Sequence, residues 1–200
     1  MYFFTHLFIS KVLYQHFAGA VELNKRAFAY GNIKPDLPSK QHNHHTLENY
    51  LFTVCAMTNQ LMYDEMPEDD FSVQLGEVCH YVSDFFCYYH VNEDIHNRKL
   101  RHFFYELSLH HKLLHMNSKQ KFKVFPSRMK PRKDISSIIL EMRKNYFSQP
   151  KDMKRDIEYA FSTAVWICES IIYFLKYSSD LMEESAAEFY SLPAKKGGSL

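Results

Sequence analysis

The chain has 200 residues, 46% of them apolar, and 24 Lys and Arg stand against 23 Asp and Glu. That length suits one domain with a sizeable core, and the nearly balanced charge excludes a global pull toward nucleic acid or an anionic membrane. Gly is scarce at 5 residues and Val/Thr alternation is sparse, which favours helices joined by short loops over strands.

Taken in chain order, the first helix is predicted over residues 4–17, with Phe4, Leu7, Phe8, Lys11 and Val12 on one face. Residues 1–20 are apolar, but they lack a basic leader region and His6, Lys11 and His16 interrupt them, so a secretory signal is not expected. A short helix is predicted over 21–29. Gly31, Pro35 and Pro38 then make 30–38 a loop, which 41–45 continues with His42, His44 and His45. A helix follows over 46–63. Pro67 and the acids at 68–70 are expected to break the chain, with Asp70 or Ser72 capping a helix over 71–89. That helix is apolar nearly all round, which places it in the middle of a bundle. Further helices are predicted over 97–115, 135–147 and 151–177. Residues 117–133 form a basic connection containing Pro126 and Pro131, and 194–200 form a frayed tail.

The expected architecture is an all-α, single-domain helical bundle over residues 1–193. No segment reaches the roughly 20 apolar residues of a membrane span, so a cytoplasmic protein without a transmembrane segment is expected. Cys55, Cys79, Cys87 and Cys168 form no zinc-ribbon spacing and read as buried small apolar residues in a reducing compartment.

The 12 His residues are the chemical signal in this composition. His80 and Asp84 are four apart on the central helix and share a face, as do His102 and Glu106 on the next. His90 lies ten residues past His80, close to three helical turns, and is expected near the end of the same helix. Asp84 and His80 sit among Val78, Cys79, Val82, Phe85 and Phe86. An ionised carboxylate there needs a compensating charge, and zinc suits a set of imidazoles and carboxylates. The bland alternative is a buried His–Asp hydrogen bond.

The ordered pattern is Thr5-His6, then Gly31-Asn-Ile-Lys-Pro-Asp36, then His44/His45, then His80-Tyr-Val-Ser-Asp84, then His90, then His102-x-x-x-Glu106. Over residues 1–110 it resembles the zinc-dependent phospholipase C family, which shares its fold and ligand plan with single-strand-specific zinc nucleases. The resemblance implies up to three zinc ions. Asp36, His45, His80 and Asp84 would hold one, and His90, His102 and Glu106 a second. His6 and a bridging Asp84 would hold the third, which family members complete with the amine and carbonyl of the mature first residue. Met1 would supply that amine here, because bulky Tyr2 favours retention of the initiator. The chain departs from secreted members in lacking both a signal and a leading Trp. His45, just ahead of the helix start, is preferred over His44 as the loop ligand.

The activity implied is hydrolysis of phosphate esters, phospholipids among them, by a metal-bound hydroxide, with Asp36 binding metal and orienting or deprotonating the attacking water. No stable nucleic-acid complex is expected. One alternative is a non-catalytic, metal-stabilised binding protein on the same scaffold. Another is a ferritin-like di-iron protein built on Glu77–His80 and Glu93–His96, although these motifs start only 16 residues apart, too few for two bundle helices. His16, His96, His110, His111 and His115 have no partner pattern. One of Tyr88 and Tyr89 is a candidate pocket wall. The basic run 119–123 with Arg128, Lys130, Arg132 and Lys133 reads as a solvated loop.

Overall fold

A computed structural model describes residues 1–38, 44–91, 99–118 and 129–191, with side chains described up to residue 177. Among these residues there are seven α-helices and no strand: α1 (Phe3–Phe17), α2 (Lys25–Gly31), α3 (Leu47–Tyr63), α4 (Glu68–Phe85), α5 (Lys99–Ser118), α6 (Ile135–Ser148) and α7 (Met153–Ser191). Two 3-10 turns, Lys34–Asp36 and Tyr88–His90, complete the regular structure. The protein is thus all-α, as its composition indicates.

α4 is the central element. Leu75, Val78, Cys79, Val82, Phe85 and Phe86 are all buried, and α2, α3 and α7 pack around them. Removing one such Leu or Phe side chain from water is worth about 1.5–3 kcal/mol, so this helix anchors the core. α7 closes the other side with Trp166, Ile167, Cys168 and Ile171, and packs against α3, α5 and α6. Cys79 and Cys168 meet there as free thiols with sulfurs 3.4 Å apart.

Several boundaries differ from the sequence expectation, two of them for a visible local reason. α2 begins at Lys25 rather than 21 because the Asn24 side chain accepts from the amides of Arg26 and Ala27 and fixes the first turn. α4 begins at Glu68, and Glu68, Asp69 and Asp70 form its first turn instead of breaking the chain. Carboxylates at a helix start meet the unpaired amides and the positive end of the dipole, so an acidic run there is favourable. Ser72 consequently caps nothing on α4, and its hydroxyl accepts from the Asn24 amide to tie α2 to α4. α4 ends at Phe85, not 89, and α7 continues to Ser191, past the expected end at 177. The tail 194–200 and the basic residues 119–123 and Arg128 lie outside the described residues. Arg132 pairs with Glu141 at 2.7 Å and lies over Trp166, and Lys133 lies over Phe174, so both are structural contacts.

Two glycines set the approach of α2 to α4. A Cβ at Gly31 would collide with the Val73 carbonyl, and one at Gly76 with the Phe28 carbonyl and, at 2.9 Å, the Asn32 amide. The helices therefore touch backbone to backbone. This brings the Asn32 carbonyl to 2.8 Å from His80 Nδ1, where the ring N–H donates to it. Gly76→Ala should lower stability by about 1–3 kcal/mol through forced separation of α2 from α4. Urea unfolding checks this, and an unchanged midpoint would contradict the close approach.

Candidate metal centre

Five short stretches of chain meet at one end of α4. α1 presents His6, and Met1 lies just ahead of it. The 3-10 turn Lys34–Asp36 presents Asp36 at its last position. His45 precedes Thr46, the residue before α3. α4 presents His80 and Asp84, the turn Tyr88–His90 presents His90, and α5 presents His102 and Glu106. All eight residues singled out in the sequence fall in this one region.

The first group gathers around Asp84 Oδ2. His45 Nδ1 lies 3.2 Å from it and His80 Nε2 3.3 Å. Asp36 Oδ1 stands 3.7 Å from His45 Nδ1 and 3.6 Å from His80 Nε2. Ligand atoms of Asp36, His45, His80 and Asp84 all lie within 4.8 Å of one another. His45 rather than His44 supplies the imidazole in this group. His42 lies outside the described residues.

The second group gathers around Glu106 Oε1, which is 2.9 Å from His90 Nε2 and 2.7 Å from His102 Nε2. The two imidazole nitrogens are 3.1 Å apart. Tyr89 stacks on the His102 ring at 5.2 Å between centroids. Cys87 joins His90 and Glu106, with ligand atoms again within 4.8 Å of one another. The sequence reading treats Cys87 as a small apolar residue, and its signal was positional: it lies between Asp84 and His90, three residues from each. His90 itself is not on α4. The helix stops at Phe85, and Arg143 donates to the Phe85 and Val91 carbonyls, clamping the turn that carries His90.

The third set bridges the other two. His6 Nε2 lies 3.2 Å from Asp84 Oδ1, and the Met1 nitrogen pairs with Asp84 Oδ1 and stands 3.2 Å from Glu106 Oε1 and 3.1 Å from His90 Nε2.

The electrostatics are those of buried anions facing cations. Burial alone would raise the Asp84 carboxyl, but His90, the Met1 ammonium, His6 and His80 hold it well below the usual carboxylate range. Glu106 is likewise pushed up by burial and held down more strongly by the Met1 ammonium, His102 and His90. Burial would lower the Met1 amine, yet Asp84 and Glu106 keep it well above its ordinary value. His6 is driven down to about 4, chiefly by burial and then by His80.

These residues fit divalent cations. His6 is fully buried, its Nδ1 has no hydrogen-bond partner among the described residues, and its Nε2 faces Asp84 Oδ1 at 3.2 Å. Among the described residues, buried Asp84, partly buried Glu106 and exposed Asp36 converge on this region, and a buried carboxylate there calls for compensating cations. The donors are imidazole nitrogen and carboxylate oxygen, the set zinc prefers.

A family model described as zinc dependent phospholipase C matches residues 5–190. The chain belongs to this family. The match extends well beyond residue 110, where the ligand pattern ends, and takes in α6 and most of α7. No curated protein and no solved structure matches the chain. Membership supports a zinc-dependent, phospholipase C-like hydrolase acting on a phosphate ester or lipid. No helix among the described residues is long and apolar enough to cross a membrane.

Residues discounted in the sequence have other occupations. His16 pairs with Glu169 at 3.5 Å, His110 Nδ1 faces the Thr5 hydroxyl at 3.1 Å, and His111 and His115 are exposed. Glu77, half of a possible di-iron motif, pairs with Lys34 instead of joining the clusters. Glu93 and His96 lie outside the described residues. Phe85 and Phe86 are core.

In the metal-free protein the His6 ring should titrate near pH 4. Because its folded pKa is depressed below the unfolded value of about 6.5, its contribution to stability is present above that pH and lost as pH falls toward 4. Histidine NMR titration reads this directly, and a midpoint near the unfolded value would contradict the burial.

Proposed function

We propose that this protein hydrolyses phosphodiesters at a centre of up to three zinc ions held by the converging side chains. The carrying observation is Asp84: one fully buried carboxylate whose two oxygens face different groups, His6 and Met1 on Oδ1 and His45 and His80 on Oδ2. A bridging role would use both faces. Asp36, His45, His80 and Asp84 would hold one ion. His90, His102 and Glu106 would hold a second, with the Cys87 thiol within reach. His6, Asp84 and the Met1 nitrogen would hold the third.

Zinc in such a site supplies a lowered pKa to water and an electrostatic partner for the phosphoryl oxygens. The chain's own residues do the rest. The Asn32 carbonyl accepts the His80 Nδ1 proton, which fixes the tautomer and leaves Nε2 as the electron-pair donor. Asp36 is the exposed member of the first group. It is therefore the carboxylate best placed to orient, or take a proton from, a water arriving from solvent. His90, His102 and Glu106 would hold the ion that faces a leaving oxygen, and His90 Nδ1 lies 3.5 Å from Asp84 Oδ2, which ties this group to the first. Phospholipid is the substrate class the family supports, and other phosphodiesters suit the same donors.

Asp84→Asn should remove most bound zinc and abolish turnover of phosphatidylcholine and chromogenic phosphodiesters. His115→Ala, on the exposed face of α5, should leave both unchanged. Zinc quantitation beside these assays checks the pair, and full zinc content in Asp84→Asn would defeat the bridging role. Zinc binding by the native protein without turnover of any phosphodiester would favour a non-catalytic, metal-stabilised protein instead. With Met1 as first residue, an N-terminal extension should lower zinc content. Normal content and activity in the extended protein would remove the amine from the ligand set.

A further inference from the structure

Asp156, on α7, lies about 50 residues beyond the ligand pattern and belongs to none of the metal groups. It is fully buried, and both carboxylate oxygens are occupied. Oδ2 accepts the Tyr88 amide at 2.8 Å and the Tyr105 hydroxyl at 2.7 Å. Oδ1 accepts the Tyr146 hydroxyl at 2.9 Å and the Arg155 guanidinium at 3.3 Å. The partners of Oδ2 are the informative ones. Tyr88 opens the turn that ends at His90, and Tyr105 immediately precedes Glu106, one helical turn after His102. A single oxygen thus joins the two pieces of chain that carry the second metal group.

We propose that Asp156 is a positioning residue for that group: its Oδ2 sets the spacing of His90 against His102 and Glu106 by holding the Tyr88 amide and the Tyr105 hydroxyl together. The inference rests on the reading that these three side chains bind zinc. Oδ1 holds the carboxylate itself in place. Arg155 donates also to the Tyr146 carbonyl at 3.3 Å and the Gln149 carbonyl at 2.9 Å, and lies over the Tyr146 ring, so the anchor is built from the end of α6 and the start of α7.

The site demands an aspartate. A carboxylate offers acceptors on both sides, whereas an amide offers an acceptor on one side and a donor on the other. In Asp156→Asn the NH2 would face either the Tyr88 amide or the Arg155 guanidinium, and neither can turn into an acceptor. One buried donor pair is then left opposed, and the turn carrying His90 or the anchor must shift. Tyr105→Phe removes only the hydroxyl and leaves the ring packing intact, so it tests the link where Asp156→Asn fails to fold.

Stepwise zinc affinity measured against a competing chromogenic chelator decides the matter, because a general loss of structure would weaken every step. His102→Ala identifies the step belonging to the second group. Asp156→Asn and Tyr105→Phe should each weaken that step by about 10–100-fold, the range typical of lost outer contacts to metal ligands, and leave the step of the Asp36, His45, His80 and Asp84 group unchanged. Unchanged affinity in both variants, or equal losses at both steps, would overturn the positioning role while leaving the zinc reading intact. Absence of zinc binding by the native protein, or no step lost in His102→Ala, would overturn the zinc reading and the positioning role together.

Discussion

The structure turns on an anion that water cannot reach. Asp84 is fully buried, Glu106 beside it is partly so, and an isolated carboxylate in the place of Asp84 is unfavourable by several kcal/mol even after relaxation. The fold answers by bringing imidazoles and the chain's own amine against them from α1, the loop before α3, α4, the turn after it and α5. A core of that kind makes little sense as packing alone, since apolar residues of the same volume would serve stability as well or better. It makes sense as a cation site. The chain belongs to the zinc-dependent phospholipase C family, which supports zinc as the cation.

Everything else holds those groups in place. Gly31 and Gly76 let α2 lie against α4 closely enough for the Asn32 carbonyl to reach His80. Arg143 neutralises the open carbonyl end of α4 and clamps the turn beyond it. Asp156 reaches the same turn from the other side and joins it to α5. The candidate ligands come from separate elements, and on the proposed reading the contacts between those elements would set the distances on which metal affinity depends.

Much of this was legible in the sequence because helical spacing is rigid. His80 with Asp84, and His102 with Glu106, are four apart, and a helix leaves such pairs no choice but to share a face. The helical architecture was legible too, from scarce glycine and from α4 being apolar nearly all round. What escaped lies where the chain departs from periodicity. His90 was expected on α4, but the helix ends at Phe85, and only a 3-10 turn carries the ring toward Glu106. Cys87 escaped for the same reason, since a cysteine in an apolar run reads as filler until the turn exposes its neighbours. The acids at 68–70 read as a break beside Pro67, whereas they form the first turn of α4, where carboxylates meet unpaired amides. Asp156 leaves no signal, because the partners of its Oδ2 are a backbone amide and a hydroxyl distant in sequence.

The claim that these anions exist to hold zinc is tested most directly by locating the metal. Anomalous diffraction at the zinc edge, from crystals of the zinc-loaded protein, should show density between Asp36, His45, His80 and Asp84 and again beside His90, His102 and Glu106. Zinc found only on surface histidines, with both groups closed on themselves by hydrogen bonds, would contradict the account.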